Sequence, residues 1–435
     1  MRTLLPFLLR LLVVTTPAWA QIPDTTFLSS TRADALTGLY VLEDGRVVQV
    51  VDLRDEIGGR QVLSVTEYAT GRARALYPMA GGGFEAGRGW FERNPVAFRV
   101  RFDETARPAR ALMWEEGGRT LAGRRAPLVE REVTIQNGDL RLVGTLVLPP
   151  GPGPHPAIVH VPGSGPLTRR IPRYVGDFLA YHGVAVLVTD KRGTGGSTGN
   201  WNGLGHADWA TDVEAQLDFL RTLPDVDANR LGLFGNSEGG FVVPVVAARR
   251  TDVRFLVCRV CSAMPGAPVL VDFQTGALRR EGTAEAEVAL AGELYGRLMR
   301  YALARTGYDS LVALAERVAD RPWRSRFLRA AVPAREARYW DGWRAMLVVD
   351  PREHYARLRI PTLVVLGERD DRILVDKHRA AFESLARGGR DLTLWVIPEA
   401  SHGLMLGVNN SAGYPAGLHE RLARWVTTAA GLRAP

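Results

Sequence analysis

The run LGLFGNSEGGF, residues 231–241, decides how the chain is read. Its apolar residues stop at Gly235-Asn236-Ser237-Glu238-Gly239, and a second apolar stretch, FVVPVVAARR, follows. A buried strand that turns straight into a helix brings the two elements almost into contact. Glycine at 235 and 239 removes the side-chain atoms that would collide there. Such a turn presents the Ser237 hydroxyl at the carboxyl edge of a sheet. The Glu238 N–H, at the helix start, is placed to bind a developing negative charge. The pentapeptide is short enough to occur by chance, and its strand–turn–helix setting is what gives it weight.

A serine hydroxyl is a poor nucleophile unless a base takes its proton. The chain has eight histidines, and His402, in WVIPEASHGLML (395–406), is the best placed. It lies a few residues beyond the last apolar strand, at the same sheet edge as Ser237. His378 falls in a helical segment and His155 precedes a strand, so neither fits as well. The base in turn needs an acid to hold its tautomer. PTLVVLGERDDRIL (361–374) supplies Glu368, Asp370 and Asp371 directly after the preceding strand.

Organisation along the chain supports this setting. At 435 residues the chain has room for two domains. Residues 21–128 alternate apolar and polar residues in short runs such as GLYVLEDGRVVQVVDL and VAFRVRFD, punctuated by Gly and Asp. That pattern predicts a small all-β domain, a barrel or a sandwich, without a helix of convincing period. From 129 the rhythm changes. REVTIQNGDLRLVGTLVLPPG predicts a hairpin turning at Asn137-Gly138. Near-continuous apolar strands then appear at 157–161, 184–190, 230–235, 254–260, 361–367 and 392–397, alternating with helices such as 208–223. Strands of this kind are buried on both faces, as in a parallel sheet, which makes residues 129–435 an α/β unit. Residues from about 265 to 355 hold helical patterns and no good strand, which predicts an inserted helical cap.

With these motifs in hand, the chain from 129 resembles an α/β-hydrolase of the esterase, acyl-thioesterase and prolyl-oligopeptidase-like groups. GNSEGG is similar to the nucleophile elbow, and ASHG (400–403) to the histidine loop. HVPGSGP (160–166) resembles the H-G-S-G-P oxyanion loop, although Val161 and Pro162 separate His160 from Gly163. TDKRGTGGSTG (189–199) resembles the D-x-R-G-x-G-x-S loop, and LGERDDRI (366–373) the acid loop. The order Ser…Asp…His is that of this fold. The resemblance implies Ser237, Asp370 and His402 as the catalytic triad, with Asp371 as the runner-up acid. It also implies the Ser164 N–H as the oxyanion donor beside Glu238, with Gly165 as the alternative.

Other chemistries fail on the residues. GTGGSTG lacks the third glycine of a dinucleotide fingerprint and the Lys-Ser/Thr of a phosphate loop. Its expected role is structural, with Asp190 and Arg192 ordering the loop. No His/Cys/carboxylate spacing suggests zinc, so no cofactor or metal is called for. Net charge is +8, almost all of it arginine, with Lys191 and Lys377 the only lysines. Without basic runs interleaved with aromatics this reads as a solvated surface, not a nucleic acid site. Arg169 and Arg170 follow the oxyanion loop and read as surface residues first and anion contacts second. Trp340 and Trp343 read equally as cap core or as pocket lining. Cys258 and Cys261 sit in an apparent strand, where three residues span roughly 10 Å. A disulfide needs Cα atoms within about 7 Å. The side chains would also face opposite ways, so the reading is two buried, unpaired cysteines.

Residues 1–20, MRTLLPFLLRLLVVTTPAWA, combine a basic start, an apolar stretch and an Ala-Trp-Ala end. They read as a signal peptide cleaved before Gln21. The apolar part is shorter than the roughly 20 residues a membrane span needs. The expected product is a soluble periplasmic or secreted protein without stable membrane insertion. Three functions compete: a serine hydrolase of small-molecule esters or thioesters, a peptidase of short peptides, and a ligand-binding protein with an inert hydrolase unit.

Overall fold

In the computed structural model, which describes residues 28–54, 62–328, 330–407 and 410–432, the alternating segments close into an eight-stranded barrel. Its strands are β1 (Gly38–Leu42), β2 (Val47–Asp52), β3 (Leu63–Glu67), β4 (Ala73–Pro78), β5 (Phe84–Ala86), β6 (Phe98–Phe102), β7 (Ala111–Glu116) and β8 (Arg119–Arg125). Each pairs antiparallel with the next, and β1 closes on β8 with Tyr40 opposite Arg125. β6 to β8 alternate buried and exposed residues, as strands with one face in water do. β3 and β4 are buried almost throughout, because the rest of the chain covers their outer face. Tyr40, Phe84, Phe98 and Trp114 fill the interior, the last two stacked at 4.1 Å. One helix stands where none was expected, α1 (Ser30–Leu36). It is capped by Ser29 and buries only Ala33 and Leu36, too few positions to display a helical period. The expected leader at 1–20 lies outside the described residues.

The second unit is an eight-stranded sheet in the order β16-β15-β14-β13-β11-β12-β10-β9. The strands are β9 (Val129–Asn137), β10 (Leu140–Leu148), β11 (His155–Val161), β12 (Ala185–Thr189), β13 (Val226–Asn236), β14 (Val253–Arg259), β15 (Thr362–Gly367) and β16 (Leu392–Ile397). β11 to β16 run parallel, and β9 and β10 lie antiparallel at one edge. α3 (His206–Arg221), α4 (Gly239–Arg249), α9 (Pro351–Tyr355) and α10 (Val375–Arg387) pack on one face. α2 (Arg173–Tyr181), α11 (Leu418–Ala429) and one side of the barrel pack on the other. This is the α/β-hydrolase fold. The strand order reverses at β11, which has β12 on one side and β13 on the other. Loops leaving the carboxyl ends of β11 and β13 therefore diverge and open a crevice between them.

Between β14 and β15 the chain builds α5 (Gly266–Arg280), α6 (Glu285–Ala304), α7 (Tyr308–Arg317) and α8 (Tyr339–Leu347) around their own core of Leu294, Tyr295, Leu298 and Trp340.

Two local expectations are corrected. In the β9–β10 hairpin Asn137 pairs with Leu140, so the turn residues are Gly138 and Asp139, one step later than expected. The Asn137 amide is used elsewhere, donating to Asp212 Oδ1 of α3 at 2.7 Å. Cys258 and Cys261 are free and buried, but they share one core instead of facing opposite ways. β14 ends at Arg259, and Val260 turns the chain at φ +50°. That brings Cys261 back against Cys258, with its Sγ 3.3 Å from the Gly235 carbonyl.

Burial holds three histidines neutral. It depresses His160 and His419 to about 3, and His378 to about 4, from an ordinary 6.5. In the unfolded chain the same histidines take up protons below about 6.5. The unfolded state therefore binds more protons between about pH 6.5 and about pH 4, and stability falls as the pH drops through that window. Three such groups together cost about 4 kcal/mol per pH unit. Thermal melts across the window are expected to move steadily down with acid, and His419→Leu is expected to reduce the slope by about one proton's worth. A melting temperature flat over this range would contradict the account.

Candidate active site

β13 ends at Asn236, and α4 begins at Gly239. The two residues between must reverse the chain, and Ser237 does so at φ +50°, a left-handed value that costs a non-glycine residue of order 1–3 kcal/mol. Its N–H is held by the Arg259 carbonyl at 2.9 Å. A Cβ on Gly235 would meet Val243 Cγ2 at 2.6 Å, so strand and helix do nearly touch there. A Cβ on Gly239 would lie 2.5 Å from the Val161 carbonyl oxygen, so this glycine admits the loop after β11 instead. That loop runs past Ser237: a Cβ on Gly163 would lie 3.5 Å from Ser237 Cβ. Ser164 and Gly165 line the same cavity as Ser237. Glu238 is the first residue of the turn into α4, where N–H groups have no intrahelical acceptor.

Ser237, His402 and Asp370 come together. Ser237 Oγ is 2.9 Å from His402 Nε2, and His402 Nδ1 is 2.7 Å from Asp370 Oδ2. The other Asp370 oxygen accepts the Arg372 and Ile373 N–H groups at 2.8 and 3.0 Å. Burial works to raise the pKa of Asp370. The adjacent imidazole and those two N–H groups outweigh it and hold the carboxyl below its usual range. Asp371 is exposed, and Glu368 accepts the Glu399 N–H at 2.9 Å, so neither meets the imidazole. His378 is buried and accepts the Ala263 N–H at 3.1 Å, while His155 opens β11.

Two arrangements escaped the sequence reading. Arg259, at the end of β14, donates to Asn236 Oδ1 at 2.7 Å and to the Gly403 carbonyl. It ties the residue before the serine to the residue after the histidine. The available signal was a second arginine, after Arg254, in a mostly apolar strand. The second is a polar cluster in the cavity. Glu238 pairs with Lys191 Nζ at 3.2 Å and with His206 Nε2 at 3.3 Å. The ammonium also lies 3.7 Å from the centre of the Trp209 ring, and the His206 ring stacks on Phe241. Burial alone would raise the Glu238 carboxyl, but Lys191 and His206 hold it well below the usual carboxylate range.

The loop after β12 meets the expectation at Asp190. Asp190 orders it by accepting from Gly196 and Arg169 N–H groups, both at 2.9 Å. Arg192 leaves the loop and forks onto Asp212 of α3, with both bonds at 2.7 Å. Arg169 pairs with Glu132 and Arg170 with Asp34, away from the site. Trp343 lines the cavity, whereas Trp340 is cap core against Tyr301. Otherwise the cap contributes apolar walls, chiefly Leu270 and Phe273 of α5 and Met346 and Leu347 of α8. Among the described residues no three His, Cys, Asp or Glu side chains are grouped to hold a metal ion.

The chain matches the family described as X-Pro dipeptidyl-peptidase (S15 family) over residues 118–403, more than half its length. No curated protein matches it. Solved structures similar to it include the Pyrococcus furiosus esterase Pf2001, at 19% identity and a TM-score of 0.45, covering 70% of this chain and 92% of that one. Dienelactone hydrolase from Anabaena variabilis is similar at 19% identity and 0.39, covering 70% and 99%. The α/β hydrolase GrgF from Penicillium is similar at 16% and 0.45, covering 70% and 100%. At these identities the likeness concerns the fold.

The Glu238 carboxylate lines the same cavity as Ser237, so its neutralisation matters to any negative charge that would develop on an oxygen of a group attacked by that serine. Lys191→Met is expected to slow labelling of Ser237 by a fluorophosphonate by on the order of tenfold, and Lys191→Met/Glu238→Gln is expected to recover most of that rate. A double variant as slow as the single one would mean that the pair does not act through charge.

Proposed function

The chain belongs to the S15 peptidase family, and on that footing we propose that it is an exported serine hydrolase cleaving carboxylic esters or thioesters of apolar acyl groups. The observation that carries this reading is the hydrogen-bonded run from Ser237 Oγ through His402 to Asp370 beneath an apolar cavity, at 2.9 and 2.7 Å. Ser237 attacks the acyl carbonyl as His402 takes its proton. Asp370 fixes the imidazole tautomer and steadies its cationic form. The Glu238 and Ser164 N–H groups receive the oxyanion, each such donor typically worth about 3 kcal/mol. His402 then protonates the leaving group, and water, activated by the same imidazole, releases the acyl chain. In this reading residues 1–20 are a removed leader, 21–128 the barrel unit and 129–435 the catalytic unit, with its cap at about 265–355. Export rests on the leader's composition and places the enzyme in the periplasm or outside the cell.

A second reading is an X-Pro dipeptidyl-peptidase, which the family's description favours. An N-terminal dipeptide carries an ammonium, and burying one calls for an unneutralised carboxylate. Glu238 is the only carboxylate among the described residues lining the cavity, and Lys191 and His206 already occupy it. The ester reading therefore stands first.

With p-nitrophenyl esters and Xaa-Pro p-nitroanilides compared on one preparation, the esters are expected to lead in kcat/KM by at least about a hundredfold. The reverse order would transfer the assignment to the peptidase. Ser237→Ala is expected to abolish turnover and fluorophosphonate labelling. Asp370→Asn is expected to lower kcat on the order of 10⁴-fold, and Asp371→Asn to stay within about twofold. N-terminal sequencing of the exported protein is expected to begin at Gln21, and an intact Met1 would remove the export proposal.

A further inference from the structure

The loop that carries His402 leaves β16, the edge strand of the sheet, and is supported from outside the sheet. Ser401, beside the histidine, bonds the Met405 carbonyl through its N–H at 2.9 Å and Asn410 Oδ1 through its hydroxyl at 2.6 Å. Leu406 and Gly413 pair across the loop, with the Leu406 N–H on the Gly413 carbonyl at 2.7 Å. The segment that begins there is bonded to the barrel. The Tyr414 N–H reaches the Gly71 carbonyl at 2.7 Å, the Gly417 N–H reaches Ala69 at 3.2 Å, and Trp90 donates to the Ser411 carbonyl at 3.2 Å. Ala69 and Gly71 lie in the turn between β3 and β4. Tyr68, which opens that turn, is fully buried, stacked on Phe178 of α2 at 3.9 Å and hydrogen-bonded to the Tyr174 carbonyl. Leu404 and Met405 of the loop share one apolar cluster with Leu39, Tyr68 and Ala73 of the barrel.

The two backbones meet without side-chain space between them. Gly71 has φ +72°, and a Cβ there would lie 2.0 Å from the Tyr414 carbonyl oxygen. Gly413, at φ +89°, would place a Cβ 2.5 Å from the Gly71 carbonyl oxygen. We infer that the barrel is a positioning element of the active site: its β3–β4 turn braces the far limb of the histidine loop and so sets where the His402 imidazole stands. Catalytic groups must be held to within a fraction of an ångström, and this support has to come from packed neighbours. The inference rests on His402 acting as the base for Ser237.

The experiment compares the full-length protein with Gly71→Ala, Gly413→Ala and Gly45→Ala. Gly45 is a second barrel-turn glycine, at φ +86°, where a Cβ would meet nothing within 4 Å. It therefore carries the same backbone strain without touching the loop. Active sites are counted by fluorophosphonate titration, so that kcat is referred to folded enzyme. A catalytic group misplaced by about 1 Å loses on the order of a hundredfold in rate. Gly71→Ala and Gly413→Ala are expected to lower kcat per titrated site by at least about tenfold with KM little changed, and Gly45→Ala to leave both at the wild-type level. Should one of the two junction variants fail to fold, the other carries the test. Wild-type kcat in either, or an equal loss in Gly45→Ala, would overturn the brace. His402→Ala with undiminished turnover would instead remove the base assignment, a separate failure.

Discussion

β13 has two residues in which to become α4, and it does so by holding Ser237 at φ +50°. That strained turn depends on three backbones passing one another closely, and much of the site follows from it. Gly235 admits the helix, Gly239 admits the loop after β11, and the Ser237 N–H is fixed by the carbonyl of Arg259 on the next strand. Because the strand order reverses at β11, beside β13, Ser237 and the loop after β11 open into one crevice. A larger side chain at either glycine would push strand from helix or helix from loop. Either movement would carry the hydroxyl away from His402.

What the sequence made legible was what local pattern encodes. Apolar runs placed β11 to β16 within a few residues, since strands buried on both faces have nearly continuous apolar sequence. What it hid was set by pairs distant in the chain or by single turns. Lys191 and Glu238 are 47 positions apart, and nothing near either announces the other. Arg192 was expected to order its own loop and instead reaches across to Asp212. The cysteine geometry failed because one residue, Val260, leaves the extended region. α1 was missed because seven residues with two buried positions carry no measurable period.

The cavity over Ser237 has a character set by the residues that line it. Its walls are mostly apolar, and its polar residues other than Ser237 and His402 include a lysine, a carboxylate and a histidine already bonded to one another. A buried ion pair of this kind is weak evidence for stability, but removing one partner strands the other; Arg372 also lines the cavity. With Lys191 and His206 satisfying Glu238, that carboxylate is not free to receive an ammonium in the cavity. Family membership makes the chain a hydrolase, and the one carboxylate among the described residues lining the cavity is already paired.

Support for the three polar residues is uneven across the sheet. Ser237 follows β13, which has neighbours on both sides, and Asp370 follows β15, likewise enclosed. The Asp370 side chain is fully buried and further fixed by two backbone N–H groups. His402 follows β16, which pairs on one side only and is only partly buried along most of its length. The His402 imidazole therefore stands at the edge of the sheet, on a loop with Leu404 held at φ +56°, with less support from neighbouring strands than the other two. Arg259 secures that loop from within the sheet through the Gly403 carbonyl. The barrel secures its far limb through backbone bonds that no side-chain substitution can supply. The barrel thus stands against the histidine loop where the sheet runs out of neighbours.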